Sequence, residues 1–219
     1  MDNEFWRERW KQNQIGFHQQ EYNPYLLQFW KQLGLSPGDP VFVPLCGKTR
    51  DMCWLAERGF PVLGVEISRL AVEAFYREQG ATAQVRQGKP FDEFRSGIVR
   101  ILCGDFYDLS AKQLEGVRGV YDRASLVALP PSRHASYVKH LSSLLTPGTV
   151  ILLVTLHYPT QEMQGPPFPV SHAEVQTLFE PYYKVEQLHS QSVLEENPRF
   201  QARGLSQLTE SVYRMLYQG

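Results

Sequence analysis

Two kinds of apolar spacing divide this chain. Phe5, Trp6 and Trp10 recur at near-helical intervals within residues 2 to 12, and Leu26, Leu27, Phe29, Trp30 and Leu33 do so from Pro24 to Leu33. Each segment predicts a short helix. The stretch between them, Asn13 to Tyr22, has no clear period and is expected to form an irregular flap over a site. From Val41 onward, compact apolar runs begin to alternate with helical stretches. Val41 to Leu45 reads as a buried strand, and Thr49 stands where it can cap a helix carrying Met52, Leu55 and Ala56 that stops at Gly59. Val62 to Glu66 is a second strand, and Ser68 caps a helix bearing Leu70, Ala71, Ala74 and Phe75 that ends at Gly80. Strand-like material follows at Ala83 to Arg86, Ile98 to Cys103 and Gly119 to Asp122. Ser132 to Leu145 predicts a helix closed by Thr146-Pro-Gly148, and Thr149 to Leu156 is the strongest strand pattern in the chain. Ser171 with Glu174 is a capping-box signature for a helix to Phe179, before two last strands at Tyr183 to Leu188 and Ser211 to Leu216.

Alternation of this kind implies an α/β fold with a mostly parallel sheet covered on both faces, and the terminal pair of strands supplies an antiparallel edge. The 219 residues, 42% of them hydrophobic, suffice for a sizeable core in one domain. We expect residues 1–36 to form a helical cover and flap and 37–219 the core. A net charge of −1 and a pI near 6.6 argue against a broad electrostatic hold on nucleic acid or anionic membrane, so a small ligand is expected. With no apolar stretch of ~18 residues and no secretory leader pattern, the reading is a cytosolic protein. Three cysteines, Cys46, Cys53 and Cys103, sit in apolar segments, as reduced packed thiols do.

The first candidate chemistry lies at Gly47 and Glu66. A glycine after the first strand lets a ligand approach the backbone, and nineteen residues later a carboxylate ending the next strand can accept both hydroxyls of a ribose. The pairing points to a nucleoside cofactor without naming it, because only one glycine of G-x-G-x-x-G is present and no phosphate-binding G-x-x-x-x-G-K follows. The six histidines show no H-E-x-x-H spacing, so no metal is expected. Cys46 follows a strand but lacks the context of a nucleophile elbow. Asp105 and Asp108 stand as a paired acid and base or, after Gly104, as ligand-binding and turn-capping groups. Trp10 and Phe17 flank the irregular stretch, where they either pack or line a pocket for a flat ligand. Gly165-Pro-Pro-Phe-Pro169 is a rigid loop after the strongest strand.

Taken together, Trp10, Gly16-Phe-His-Gln19, Pro44-Leu-Cys-Gly-Lys48, Gly64-Val-Glu-Ile-Ser68, Tyr121-Asp-Arg-Ala-Ser-Leu-Val-Ala128, Gly165-Pro-Pro-Phe168 and His172-Ala-Glu174 resemble the thiopurine S-methyltransferase family. The resemblance runs in order from about residue 6 to about residue 217. It implies a Rossmann-like seven-stranded fold and a monomeric, cytosolic enzyme that uses S-adenosyl-L-methionine to methylate aromatic and heterocyclic thiols. Leu45 then contacts the cofactor through its backbone, Glu66 holds the ribose, Asp105 and Phe106 lie beside adenine, and Trp10 and Arg123 border the methionine end. Phe17, His18, Arg123 and Pro167 fall on the acceptor's side, with Arg123 favouring a thiolate. A second acceptor-side arginine is either Arg199 or Arg203, and Asp122 or His18 remains open as a proton acceptor. Selenium or tellurium acceptors, and a nucleotide-binding module without catalysis, are the rival readings. An NAD-dependent oxidoreductase is disfavoured by the missing glycines.

Overall fold

A computed structural model describes residues 3–219. Asp2, the expected start of the first helix, lies outside the described residues. The chain groups into two compact units, Met1–Tyr121 and Asp122–Gly219.

In the first unit, α1 (Asn3–Lys11) is followed by an irregular segment and α2 (Pro24–Phe29). Asn23 starts α2 by accepting from the backbone N–H groups of Tyr25 and Leu26. The second expected helix is divided: its last turn, Trp30–Leu33, tightens to 3-10 geometry and ends at Gly34. Then come β1 (Val41–Val43), α3 (Asp51–Glu57), β2 (Val62–Glu66), α4 (Arg69–Glu78), β3 (Gln84–Arg86), β4 (Asp92–Ser96), β5 (Val99–Cys103) and β6 (Gly119–Arg123), whose last two residues, Asp122 and Arg123, fall in the second unit. β1 stops short of Leu45 because that residue turns into the left-handed region, at φ 43°. Thr49 does not cap α3. Its hydroxyl accepts from Asp51 N at 3.3 Å, and the helix begins after Arg50. Ser68 does cap α4, accepting from Ala71 N.

The strand order here is β3-β4-β5-β2-β1-β6. β5, β2, β1 and β6 run parallel, and β3 and β4 join at the edge as an antiparallel hairpin. Phe42, Val65 and Ile101, on three adjacent strands, have no exposed surface. Burying each such side chain contributes ~1.5–3 kcal/mol. β1 lies between β2 and β6, where the order of strand addition reverses, and ligands bind outside strand carboxyl ends at such a point.

In the second unit, α5 (Pro131–Leu144), β7 (Val150–His157), α6 (His172–Phe179), β8 (Tyr183–Ser192), α7 (Pro198–Gln201) and β9 (Thr209–Tyr217) follow. β9 lies between β7 and β8, antiparallel to both. The last two strands are longer than expected, and α7 forms where only a charged loop was read. The fold is the α/β class expected, with one correction: nine strands are formed among the described residues rather than seven, and the β3-β4 hairpin accounts for two. β4 escapes sequence reading because Asp92, Glu93, Arg95 and Ser96 leave Phe94 as its one buried side chain.

Candidate functional site

At the carboxyl ends of β1, β2 and β5, three turns are stitched side by side. Leu45 and Gly47 both adopt positive φ, at 43° and 52°. For Leu45 that conformation costs ~1–3 kcal/mol and persists only where contacts over-determine it. Those contacts come from β2. Cys46 N donates to Val65 O at 2.9 Å, and Gly47 N donates to Glu66 Oε2 at 2.9 Å. The other carboxylate oxygen of Glu66 accepts from Ser68 N at 2.8 Å. Glu66 is 5% exposed, and burial pushes its carboxyl up to about 7, against the opposing pull of the Ser68, Gly47 and Ile67 N–H groups. Gly104 N donates to Glu66 O, which fixes the third turn. Asp105 follows, with one oxygen accepting from Tyr107 N at 2.9 Å and the other from Asn3 Nδ2 at 2.5 Å. The Phe106 ring is buried, edge-on to Tyr107, so what that residue offers a ligand is backbone.

A cleft of about 560 Å³ opens beside these turns, lined among others by Asn3, Ile67, Ser68, Cys103, Gly104 and Asp105. Gly47 needs to be glycine twice over, because a Cβ there would lie 3.2 Å from the Trp10 ring besides straining the backbone. Trp10 thus lies over the glycine turn. Phe17 meets the rings of Trp6 and Trp10 edge-on, each at 5.7 Å, and His18 N closes a turn onto Ile15 O. The expected flap, residues 13–22, is irregular as read, but its carboxyl end is fastened to α3. Arg50 donates to Gln20 O at 2.8 Å, Tyr22 Oη to Glu57 at 3.0 Å, and Asn23 N to Asp51 at 2.8 Å.

In the second unit, Arg123 is followed by Ala124 in the left-handed region, φ 66°, a second non-glycine strain point directly after a strand. Asp122 does not serve as a free base. It is buried, which raises its pKa, and its oxygens accept from Tyr137 Oη at 2.7 Å, Leu126 N at 3.3 Å and Ser125. The short turn Leu126–Ala128 also receives the proline loop: Phe168 N donates to Val127 O at 2.7 Å. The carbonyl of Pro167 accepts from buried Tyr158 Oη at 2.6 Å. Both Arg123 and Arg203 are close enough to Arg199 to disfavour its charge, after partial burial and against the pull of Glu210.

Burial pushes the Cys46 thiol well above its ordinary value and the Cys53 and Cys103 thiols up to about 11, so these are packed thiols rather than thiolate nucleophiles. Among the described residues no group of three His, Cys, Asp or Glu could hold a metal, and no helix is long and apolar enough to cross a membrane. Sequence reasoning missed Asn3, whose partner is 102 residues away, and it gave no weight to the main-chain donors of Ser68 and Gly104.

Comparison with known proteins supplies a context for this geometry. The family model for thiopurine S-methyltransferase matches residues 1–218. The thiopurine S-methyltransferase of Nitrosospira multiformis is 51% identical over 99% of this chain and 98% of its own. That of Pseudomonas putida is 49% identical over 98% and 99%. Among solved structures, an S-adenosylmethionine-dependent methyltransferase of Anabaena variabilis superimposes with a TM-score of 0.69 at 11% identity, covering 99% of this chain and 95% of that one. The 1,6-didemethyltoxoflavin-N1-methyltransferase of Burkholderia thailandensis, solved with S-adenosylhomocysteine, gives 0.64 at 16%, covering 99% and 87%.

Proposed function

The chain belongs to the thiopurine S-methyltransferase family and is an S-adenosylmethionine-dependent methyltransferase, and from that premise we propose that it methylates the sulfur of aromatic and heterocyclic thiols. The observation that carries the reading is the near-full-length identity to relatives bearing that name. We read the chain as one catalytic domain, monomeric and cytosolic, taking a small-molecule acceptor.

The first unit fits the cofactor. A buried carboxylate already oriented by two main-chain donors, beside a turn with no Cβ, matches a ribose diol and a closely approaching ligand backbone. Glu66 accepts the hydroxyls, Leu45 and Gly47 present main-chain groups, Asp105 and the Phe106 backbone face the base, and Trp10 covers the turn. S-adenosylmethionine supplies an electrophilic methyl on a sulfonium centre. Because charge is neutralised or spread as a thiolate displaces it, the chain has little transition-state charge to stabilise. Its contributions are alignment and exclusion of water. Arg123 favours an ionised thiol and orients it with its guanidinium fork, and Arg199 stands as the second acceptor-side arginine through its nearness to Arg123. Phe17 and His18 in the first unit and Pro167 in the second are assigned to the acceptor on the family resemblance alone. With Asp122 saturated, no side-chain base is required for an acidic thiol.

Incubation with methyl-labelled S-adenosylmethionine and matched thiols, selenols and phenols tests the proposal. Label on aromatic thiols well above phenols is expected. Preferential labelling of selenols with inert thiols would overturn the thiol reading.

A further inference from the structure

His134, on the first turn of α5, is 1% exposed, and both of its ring nitrogens face acceptors. Nδ1 lies 2.7 Å from Glu174 Oε1, and Nε2 lies 2.8 Å from the carbonyl oxygen of Leu129. The ring is thus bonded at both ends, to a carboxyl at a helix start and to the carbonyl of a turn.

The place of this clamp in the fold gives it a consequence. Glu174 stands in the first turn of α6, where its N–H is already capped by Ser171, so the carboxylate is turned to His134. Leu129 ends the short turn that receives Asp122 at Leu126 N and the proline loop through Phe168 N at Val127 O. One segment, residues 124–129, therefore sets both the strand end that carries Arg123 and the loop that carries Pro167. The His134 ring ties that segment to two helix starts at once. Besides His134 and Glu174, the charged or titratable groups on α5 and α6 are Arg133, Tyr137, Lys139, His140 and His172, with Tyr137 turned to Asp122 and His172 to Tyr213. The Leu126–Leu129 segment offers only its carbonyl.

We propose that His134 is a positioning residue for the acceptor side, clamped between Glu174 and the Leu129 carbonyl, so that Arg123 and the proline loop stay aligned only while both ring contacts are made. The proposal rests on the thiol reading for its activity arm but not for its exchange arm. Hydrogen exchange of the whole enzyme should quicken at the amides of residues 124–129 in His134→Gln and stay unchanged at Gly47 and Ser68, whatever the substrate. In the same variant kcat/KM for the thiol should fall about 10-fold or more while S-adenosylhomocysteine affinity stays within about 2-fold. Unchanged exchange at residues 124–129, or equal losses of thiol and cofactor parameters in a folded His134→Gln, would overturn it. Should His134→Gln fail to fold, the same two readouts on Glu174→Ala decide.

Discussion

The turns after β1, β2 and β5 are drawn together by main-chain donors that converge on Glu66, whereas the segment after β6 is also held by side chains reaching in from α5. Around Glu66 the bonds run from Gly47 N, Ser68 N and Gly104 N, and they close within adjacent parallel strands. Around residues 122–129 they come from Tyr137 and His134 on α5 and from the loop at Phe168. A cradle of main-chain donors around one carboxylate is set once the sheet register is set, and it suits the cofactor proposed there, which is the same in every turnover. A side-chain frame can be retuned without altering the sheet, which suits the acceptor proposed there, the more variable partner.

The sharpest way to break this comparison is at Arg123. Arg123→Ala should lower kcat/KM for a weakly acidic thiol by about 100-fold or more, as loss of one oriented charge stabiliser does, and hurt strongly acidic thiols less. Steady-state kinetics across a thiol series measures it, and a uniform change under about 2-fold would remove Arg123 from the site.

On the cofactor side, Glu66→Ala should weaken S-adenosylhomocysteine binding about 10-fold to 200-fold, from loss of charge-assisted hydrogen bonds worth ~1.5–3 kcal/mol. The wild-type affinity should also depend on pH. Burial holds the Glu66 carboxyl up at about 7, and hydroxyl donors favour the carboxylate, so binding should tighten as pH rises through that value and release protons near it. Stability runs the other way. The carboxyl is raised from 4.5 to about 7, so this group's contribution is fully present below 4.5 and is lost as pH rises through about 7. Calorimetric titration in buffers of different ionisation enthalpy reads the proton release, and its absence would contradict the assignment.

A smaller effect is expected at Gly47. A Cβ at φ 52°, 3.2 Å from Trp10, should cost Gly47→Ala about 1–2 kcal/mol of stability, read by denaturant unfolding. Smallest of all, proteolytic cleavage near Lys11 should slow a few-fold when S-adenosylhomocysteine and a thiol are both present, since an irregular segment beside a site can tighten as ligands bind. Equal rates would remove the flap.

The same contrast explains what the sequence disclosed. β2 and Ser68 are legible because a continuous apolar run and a capping hydroxyl are local signals, and Gly47 with Glu66 is legible through the sheet that joins them. β4 is hidden because one face is charged, and Thr49 misleads because the left-handed turn at Leu45 and Gly47 delays α3. On the proposed acceptor side, Arg123 and Pro167 emerge from the family resemblance rather than from periodicity. The bond between His134 and Glu174 spans 40 residues and carries no local pattern.

The most direct test of the division between the two sides is one calorimetric titration with S-adenosylhomocysteine, run on the wild type, Glu66→Ala and Arg123→Ala. Loss of affinity of about 10-fold or more in Glu66→Ala, with Arg123→Ala within about 3-fold of wild type, is the expected result. Equal losses in both, or an unchanged Glu66→Ala, would contradict it.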